Sequence, residues 1–353
     1  MNISEVLIKW YFQNKRELPW RGIFSPYKIW LSEIILQQTR IDQGLDYYLK
    51  FIDHYPEIDD LAKASLDEIL KIWQGLGYYS RARNLHETAK KIVSEYDGRF
   101  PTDYSSLLKL KGIGPYTAAA IASIAFNEPV AVLDGNAFRF LARYFGAGLP
   151  VNSSEGKTAF NKLANSILDR SNPGIHNQAV MEFGAIQCTP LNPDCINCPL
   201  RDSCYAFSKD MIRELPVKKT HASIKERYFN YLVITSGEKI FLRKRVENGI
   251  WKMLYEFPLI EVSSQLKEDE IIDSPHWRQI LDTSIAIKIR NISKPYKHML
   301  THQTIYARFF RIEIGPPPAS FLEKFMSVDI NILERYAVPK LIERYLTDSL
   351  FFL

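Results

Sequence analysis

Apolar residues recur at spacings of three and four along the first 210 or so residues, the period of helices that bury one face. The pattern predicts helices over Ile29–Gln38, Leu66–Gln74, Ala82–Tyr96, Thr117–Phe126 and Ala137–Phe145. Ser65-Leu-Asp-Glu68 has the form of a capping box, in which a hydroxyl and a carboxylate each accept from the other residue's amide, and it opens the helix that ends before Gly75. Pro101-Thr102-Asp103 marks a further helix start. Period-two alternation is scarce in this half.

The pattern changes after Pro216. Residues Met211–Arg227 are polar, rich in Lys and Arg and broken by that proline, which suits a linker over about 211–226. Strands are expected at Tyr228–Thr235 and Lys239–Arg245 around a turn at Ser236-Gly237, then at Ala286–Ile292 and Thr304–Ile314. Short helices are expected near Phe321–Met326 and Pro339–Leu346. The chain therefore reads as multidomain, an all-α domain over 1–210 followed by an α+β domain over 227–353. Its 353 residues are enough for two separate cores.

Composition refines this only slightly. Hydrophobic residues make up 46% and charged residues 24%, ordinary for a soluble globular chain, and no apolar run approaches a membrane span. Glu5 and Lys9 interrupt Met1–Trp10, which is too polar for a signal peptide. The expectation is a cytoplasmic bacterial protein and, by default, a monomer. A net charge of +5 leans toward an anionic partner without justifying nucleic acid by itself.

The chain's four cysteines sit together as Cys188-x6-Cys195-x2-Cys198-x5-Cys204. Four thiolates in one short loop can close on a metal centre; two disulfides would need an oxidising compartment. All-cysteine zinc sites usually carry two C-x2-C pairs and this loop has one, so the 6-2-5 spacing fits a [4Fe–4S] cluster better than structural zinc.

Leu110-Lys111-Gly112-Ile-Gly114-Pro-Tyr116 is a tight two-glycine turn before a helix. Free amides at such a helix start attract phosphate, and Lys111 stands beside them, so the turn can hold a DNA phosphate without reading sequence. Gly-x-Gly also occurs in unrelated turns. Asp134, in Val132-Leu-Asp-Gly-Asn136, precedes another helix and is either an N-cap or a carboxylate aimed into a cleft. Glu33 lies in the apolar stretch Leu31–Leu36; if buried there its pKa rises and it suits a general acid, whereas on a wet helix face it has no such role.

A helix-hairpin-helix over about 105–125, then Asp134, then the cysteine loop resembles the endonuclease III superfamily of DNA glycosylases. Leu31–Thr39, Gly75–Leu85, Val132–Asn136 and Met181–Pro190 are similar to the MutY family of adenine DNA glycosylases. The likeness is strong over about 5–205 and looser beyond. It implies a base excision repair enzyme for adenine mispaired with 8-oxoguanine or guanine in duplex DNA. Glu33, Asp134, Tyr116 and Asn136 would be catalytic, and Cys188, Cys195, Cys198 and Cys204 would hold the cluster, with Arg201 a phosphate contact. Trp20, Arg21, Leu36, Ile41 and Gln178 match adenine-pocket positions, although Trp20 and Ile41 suit plain core packing nearly as well. Gln38 and Tyr78 match residues that enter the base stack, and Lys111, Gly112, Gly114 and Arg83 fall among the DNA contacts. Bifunctional relatives carry a lysine nucleophile where this chain has Tyr116, which implies a glycosylase without strand cleavage.

Phe241–Arg245 and Gly249–Pro258 resemble the Nudix-like domain of that family, but Phe257–Gln265 lacks the Arg-Glu and Glu-Glu cluster that holds magnesium in catalytic Nudix enzymes. The family's Phe-Ser-His turn for 8-oxoguanine corresponds to Leu300-Thr301-His302, a departure at two of three positions that keeps a hydroxyl and loses an aromatic ring.

Overall fold

The computed structural model describes residues 2–219, 224–281 and 285–349. Its helices of seven or more residues are α1 (Ile3–Asn14), α2 (Pro26–Leu36), α3 (Ile41–His54), α4 (Leu66–Ile72), α5 (Ser80–Tyr96), α6 (Pro115–Phe126), α7 (Gly135–Phe145), α8 (Ser154–Ile167), α9 (Pro173–Glu182) and α10 (Lys340–Asp348). Two compact units form, one of Met1–Lys63 with Asn84–His221 and one of Ala64–Arg83 with Ala222–Leu353.

The first unit is helical, as the spacing predicts, and α6 explains how it closes. Thr117, Ala118, Ala119, Ala120, Ile121, Ala122 and Ser123 are all buried, so this helix is apolar around its circumference and belongs in a core. Its small side chains let neighbouring backbones come close: a Cβ on Gly174 of α9 would lie 2.6 Å from the Ser123 carbonyl oxygen. A second apolar cluster joins α1, α7, α8, α9 and the turn after it through Leu7, Trp10, Phe140, Phe160, Val180 and Phe183. Trp10 and Phe140 both pack edge-on against Phe183, at 4.9 and 5.2 Å between ring centres.

The stretch leading to Asp134 has no regular partner and is pinned by one amide. Buried Asn177 of α9 accepts from Val132 N at 3.0 Å and donates to Val130 O at 2.8 Å and Ser123 Oγ at 2.9 Å. The linker expectation needs correction over its first part. Leu215 is buried in the helical core, Met211, Ile212 and Val217 pack against it, and Val151 N donates to Val217 O. The rest of that stretch includes 220–223, outside the described residues, and Lys225 already begins a strand.

The second unit is built on a sheet of β1 (Lys225–Ser236), β2 (Lys239–Lys244), β3 (Tyr255–Glu256), β4 (Leu259–Val262), β5 (Ile287–Ile292), β6 (Tyr296–Leu300), β7 (Gln303–Ile314) and β8 (Met326–Asp329). The main path runs β3-β2-β1-β7-β5, with β4 on β1, β6 on β7 and β8 on β2. β1 and β7 pair in parallel from Lys225↔Gln303 to Thr235↔Glu313, and the other pairings are antiparallel. Six consecutive buried residues in β1 follow from coverage of both faces. Adjacent Phe309 and Phe310 serve opposite sides: Phe309 stacks on Tyr345 of α10, and Phe310 packs on Trp277.

Four strands, β3, β4, β6 and β8, went unforeseen. A helix near Phe321–Met326 was expected; the helix is Ala319–Leu322, and Met326 instead pairs with Leu242 in β8. The segment Ala64–Arg83, read as part of the helical domain, belongs to the second unit, where Asp67 bonds to Lys244 and Tyr255. Among the described residues no helix is long and apolar enough to cross a membrane.

Replacing Asn177 by Ala leaves the buried Val132 amide and Val130 carbonyl without that partner. At about 1–3 kcal/mol for a lost buried partner, the helical unit is expected to lose about 3 kcal/mol. Urea unfolding followed by far-ultraviolet circular dichroism measures this, and a loss below about 0.5 kcal/mol would show the amide dispensable.

Candidate active site

Two carboxyl groups meet in the first unit. Glu33 lies near the end of α2, where an almost wholly apolar sequence buries every residue from Ile29 to Ile35. It is only 9% exposed, and Tyr116 Oη, from the first turn of α6, donates to its Oε2. Burial drives the Glu33 pKa above the ordinary carboxyl value, and the Tyr116 bond and the nearby Arg21 charge offset this only in part. Asp134 also adds to the rise. Burial likewise pushes the Tyr116 phenol well above its ordinary value.

Asp134 is the N-cap of α7 and is electrostatically coupled to Glu33. Its Oδ1 accepts from Ala137 N at 2.6 Å and its Oδ2 from Asn136 Nδ2 at 2.7 Å. Burial again raises the pKa, opposed here by those N–H donors and by the charge of Arg139. Of the two groups, Glu33 is held by a phenol and Asp134 by amide donors that favour the carboxylate. Burial pushes both pKa values up, and more hydrogen-bond donors oppose the rise at Asp134 than at Glu33.

A ladder continues behind Asp134. Arg139 Nη2 donates to Asn136 Oδ1 at 2.8 Å and to Gly184 O at 2.5 Å, and its Nε donates to Cys188 O at 2.8 Å. Gly184 lies in the π-helical turn Phe183–Gln187, and a Cβ there would sit 2.6 Å from Asn136 O. Only a glycine lets these backbones meet.

Around the carboxyls, Arg21 Nη1 donates to Gln178 Oε1 at 2.8 Å, and Tyr11 Oη donates to the same oxygen at 3.2 Å. Glu182, one turn beyond Gln178 on α9, takes both Arg16 (2.6 and 2.9 Å) and Arg21 (3.0 Å). Burial opposes its ionisation, yet those arginines hold its pKa below the ordinary value. Arg21 Nε is buried and has no hydrogen-bond partner among the described residues. Sequence reasoning missed Arg16, Glu182, Arg139 and Arg143; for Arg139 and Arg143 the signal was two charges one turn apart on a helix with a strong apolar face, whereas Arg16 lies beyond the end of α1. Trp20 is buried edge-on against Tyr48, as core packing would have it. Leu36 and Ile41 are half-buried at the facing ends of α2 and α3, and Gln38 between them is exposed with φ of 55°.

The hairpin forms as expected. Gly112 has φ of +77° and Gly114 caps α6 without a side chain. Lys111 is exposed but paired with Glu87 at 2.6 Å, and would have to leave it to meet a phosphate. Arg201 donates to Asp202 and to Ile196 O.

The four cysteines are free and line one pocket with Phe140, Arg143, Phe183 and Arg201. Among the described residues no three metal-binding side chains are grouped to hold a single ion. Four thiols lining one pocket are an all-sulfur donor set of the kind that holds zinc or an iron–sulfur cluster. Arg143 brings positive charge to them: Nη1 lies 3.5 Å from Cys188 Sγ and also donates to Thr189 O, while Nη2 donates to Pro190 O.

A separate constellation lies in the second unit. Tyr78 Oη and Thr301 Oγ1 share a hydrogen bond of 2.5 Å. They line a cavity of about 420 Å³ with Arg83, Trp251, Leu300 and His302. Thr301 and His302 form the two-residue turn between β6 and β7, exposed to solvent. Tyr78 has φ of 47° and Trp251 φ of 59°, left-handed conformations uncommon for aromatic residues and frequent at working sites. Arg83 is partly committed within the protein, with Nη1 donating to Lys252 O at 2.9 Å.

Residues 31–164 match the HhH-GPD superfamily base excision DNA repair protein family, and 230–348 match the NUDIX domain. The adenine DNA glycosylase of Buchnera aphidicola subsp. Baizongia pistaciae (strain Bp) is 38% identical over 305 residues, 86% of this chain and 83% of that protein. That of Mus musculus is 40% identical over 369 residues, 89% of this chain and 71% of that protein. A solved thermostable thymine-DNA glycosylase superposes with a TM-score of 0.54 at 31% identity, over 58% of this chain and 95% of that one. A non-covalent endonuclease III–DNA complex, at 22% identity and a TM-score of 0.51 over 59% and 94%, shares the fold.

Folding raises the Glu33 pKa, so this group favours the folded state fully below its unfolded value of about 4.3 and loses that contribution as pH rises through the folded value. Glu33→Gln is therefore expected to raise the melting temperature at pH 8, with the gain fading toward about pH 4. Thermal unfolding across that range checks it; a gain independent of pH would mean that burial does not set the protonation of this carboxyl.

Proposed function

Because the chain belongs to the adenine DNA glycosylase family, whose members act in base excision repair, we propose that it removes adenine paired with 8-oxoguanine or guanine and leaves an abasic site without cutting the strand. The observation that carries this reading is the pair of carboxyls, buried Glu33 on a phenol and half-buried Asp134 on amides.

Chemistry on a base inside a duplex requires the nucleotide to leave the stack, so the adenine swings out into the helical unit. Glu33, held protonated by burial, gives its proton to N7, and the bond between the base and C1′ breaks with its electrons going to the adenine. Positive charge grows on the sugar. Asp134 as the carboxylate stabilises it, with Asn136 fixing its orientation, until water adds at C1′ and releases a proton. Arg21, whose buried Nε has no partner among the described residues, and Gln178 are suited to hold the adenine edge. Trp20, Leu36 and Ile41 would wall the pocket, and Gln38 would enter the stack. Strand cleavage needs an amine to form an imine, and the phenol of Tyr116 cannot supply one.

Gly112, Gly114 and Lys111 fit the role of a phosphate grip at the start of α6. Cys188, Cys195, Cys198 and Cys204 would hold a [4Fe–4S] cluster, which when bound would order the loop beside Arg201 rather than take part in hydrolysis. In the second unit, the Tyr78 ring and the Thr301 hydroxyl in one cavity support the reading that this pocket receives 8-oxoguanine, with Leu300 and His302 beside it. The ring can stack on the base and the hydroxyl can bond it.

Single-turnover reaction on a labelled duplex with adenine opposite 8-oxoguanine is expected to give strand breaks only after alkali, and borohydride should trap no covalent complex. Glu33→Gln and Asp134→Asn are each expected to slow excision at least about a thousandfold, ~4 kcal/mol of barrier. Breaks without alkali would return the chain to the bifunctional branch, and a near-parental rate in either variant would remove that residue from the mechanism.

Thr301→Ala is expected to lower the preference for 8-oxoguanine over guanine about fivefold, the size of one neutral hydrogen bond of ~1 kcal/mol. An unchanged ratio of excision rates on the two duplexes would exclude Thr301 from reading the base.

A further inference from the structure

Tyr78 comes from the N-terminal part of the sequence but lies in a segment, Ala64–Arg83, that belongs to the sheet-containing unit. Both ends of that segment are fastened there. Before the loop Gly75–Tyr79, Asp67 accepts from Lys244 Nζ at 2.6 Å and from Tyr255 Oη at 2.9 Å. Gln74 Oε1 accepts from Val338 N at 3.2 Å. Beyond the loop, Arg83 holds Lys252 O.

The loop itself is braced from within. Trp73 Nε1 and Arg81 Nη2 both donate to Gly77 O, at 2.9 and 3.2 Å, and Gly75 N donates to Tyr79 Oη at 3.2 Å. Gly75, Gly77 and Tyr78 all have positive φ, at 93°, 79° and 47°. Tyrosine keeps such a conformation when its surroundings impose it. A hydroxyl–hydroxyl bond as short as that between Tyr78 and Thr301 also requires the ring to be placed accurately.

We propose that Asp67, with Lys244, Tyr255 and Gln74, is a clamp that fixes the Tyr78 ring beside Thr301, making these positioning residues for the choice of base opposite adenine. The inference rests on the reading that this pocket receives that base. Magnitudes separate the role from plain stability. The Asp67–Lys244 pair is partly exposed, with side chains 43% and 28% accessible, and such pairs contribute only about 0–1 kcal/mol to folding. Its loss should therefore spare the fold while loosening the ring.

The test is single-turnover excision by the full chain on adenine opposite 8-oxoguanine and on adenine opposite guanine. In Asp67→Asn and Gln74→Ala the guanine rate should stay within about twofold of the parent, while the 8-oxoguanine rate falls about tenfold, the factor that ~1.4 kcal/mol produces. Exchanging the charges in Asp67→Lys with Lys244→Asp should restore most of the lost preference. Equal losses on both duplexes, or an unchanged ratio, overturn the clamp. A preference that depends on Thr301 but not on Asp67 also sinks it and leaves the pocket standing. If the parent shows no preference for 8-oxoguanine, the pocket reading fails and the clamp with it.

Discussion

Burial of the Glu33 carboxyl against the Tyr116 phenol constrains everything around it. A carboxyl taken out of water keeps its proton unless donors favour the anion, and a phenol is a weaker incentive to ionise than amides are. Asp134 sits in the same cluster and has such donors, because the start of α7 supplies the Ala137 amide and Asn136 supplies another. One helix start thus does two jobs. It satisfies an amide that the helix leaves open, and its donors oppose the rise that burial gives the Asp134 pKa, at a site electrostatically coupled to Glu33.

That bias is only as firm as α7. Its charged residues Arg139 and Arg143 do not face solvent; they bind Asn136, the π-helical turn and the carbonyls that open the cysteine loop. The guanidinium geometry suits this task, since planar forked donors can meet several carbonyls at once. The apolar packing of Phe140 and Phe183 carries α7 into the core, and the arginines set its rotation and depth. Gly184 completes the fit from the opposite side, where any side chain would strike Asn136.

Much of this was legible from residue order because it depends on local rules. Helix spacing placed α2, α4, α5, α6 and α7, and the Ser65–Glu68 box forms with both of its bonds. The apolar run around Glu33 left its burial open and the structure buries it, and the lone cluster of cysteines marked one pocket. The rest was hidden for physical reasons. Strands β3 and β8 are two and four residues long and owe their shape to β2 beside them, not to their own alternation. The unit to which Tyr78 belongs is set by contacts between residues far apart in the chain, such as Asp67 with Lys244, 177 positions on, about which local pattern says nothing. Arg139 and Arg143 read as ordinary helix charges until their carbonyl partners, some 45 residues away, are in view.

Glu256 shows what the second unit has made of its polar interior. This carboxylate is wholly buried, yet Arg243 and Arg245 both reach it, at 2.8 and 2.9 Å, and Tyr231 adds a hydroxyl at 3.4 Å. Breaking such a buried pair is expensive because it strands a charge, typically about 3–5 kcal/mol, so the three residues are locked together. A carboxylate already neutralised by two guanidiniums is a structural strut between β2 and β3. The sheet that it helps to hold then carries two loops that line one cavity: the exposed Thr301–His302 turn between β6 and β7, and the corner after β2 where Trp251 is buried. The cavity in this unit is thus lined by two loops and a segment from earlier in the chain, set on a sheet whose interior is locked by an ion-paired carboxylate.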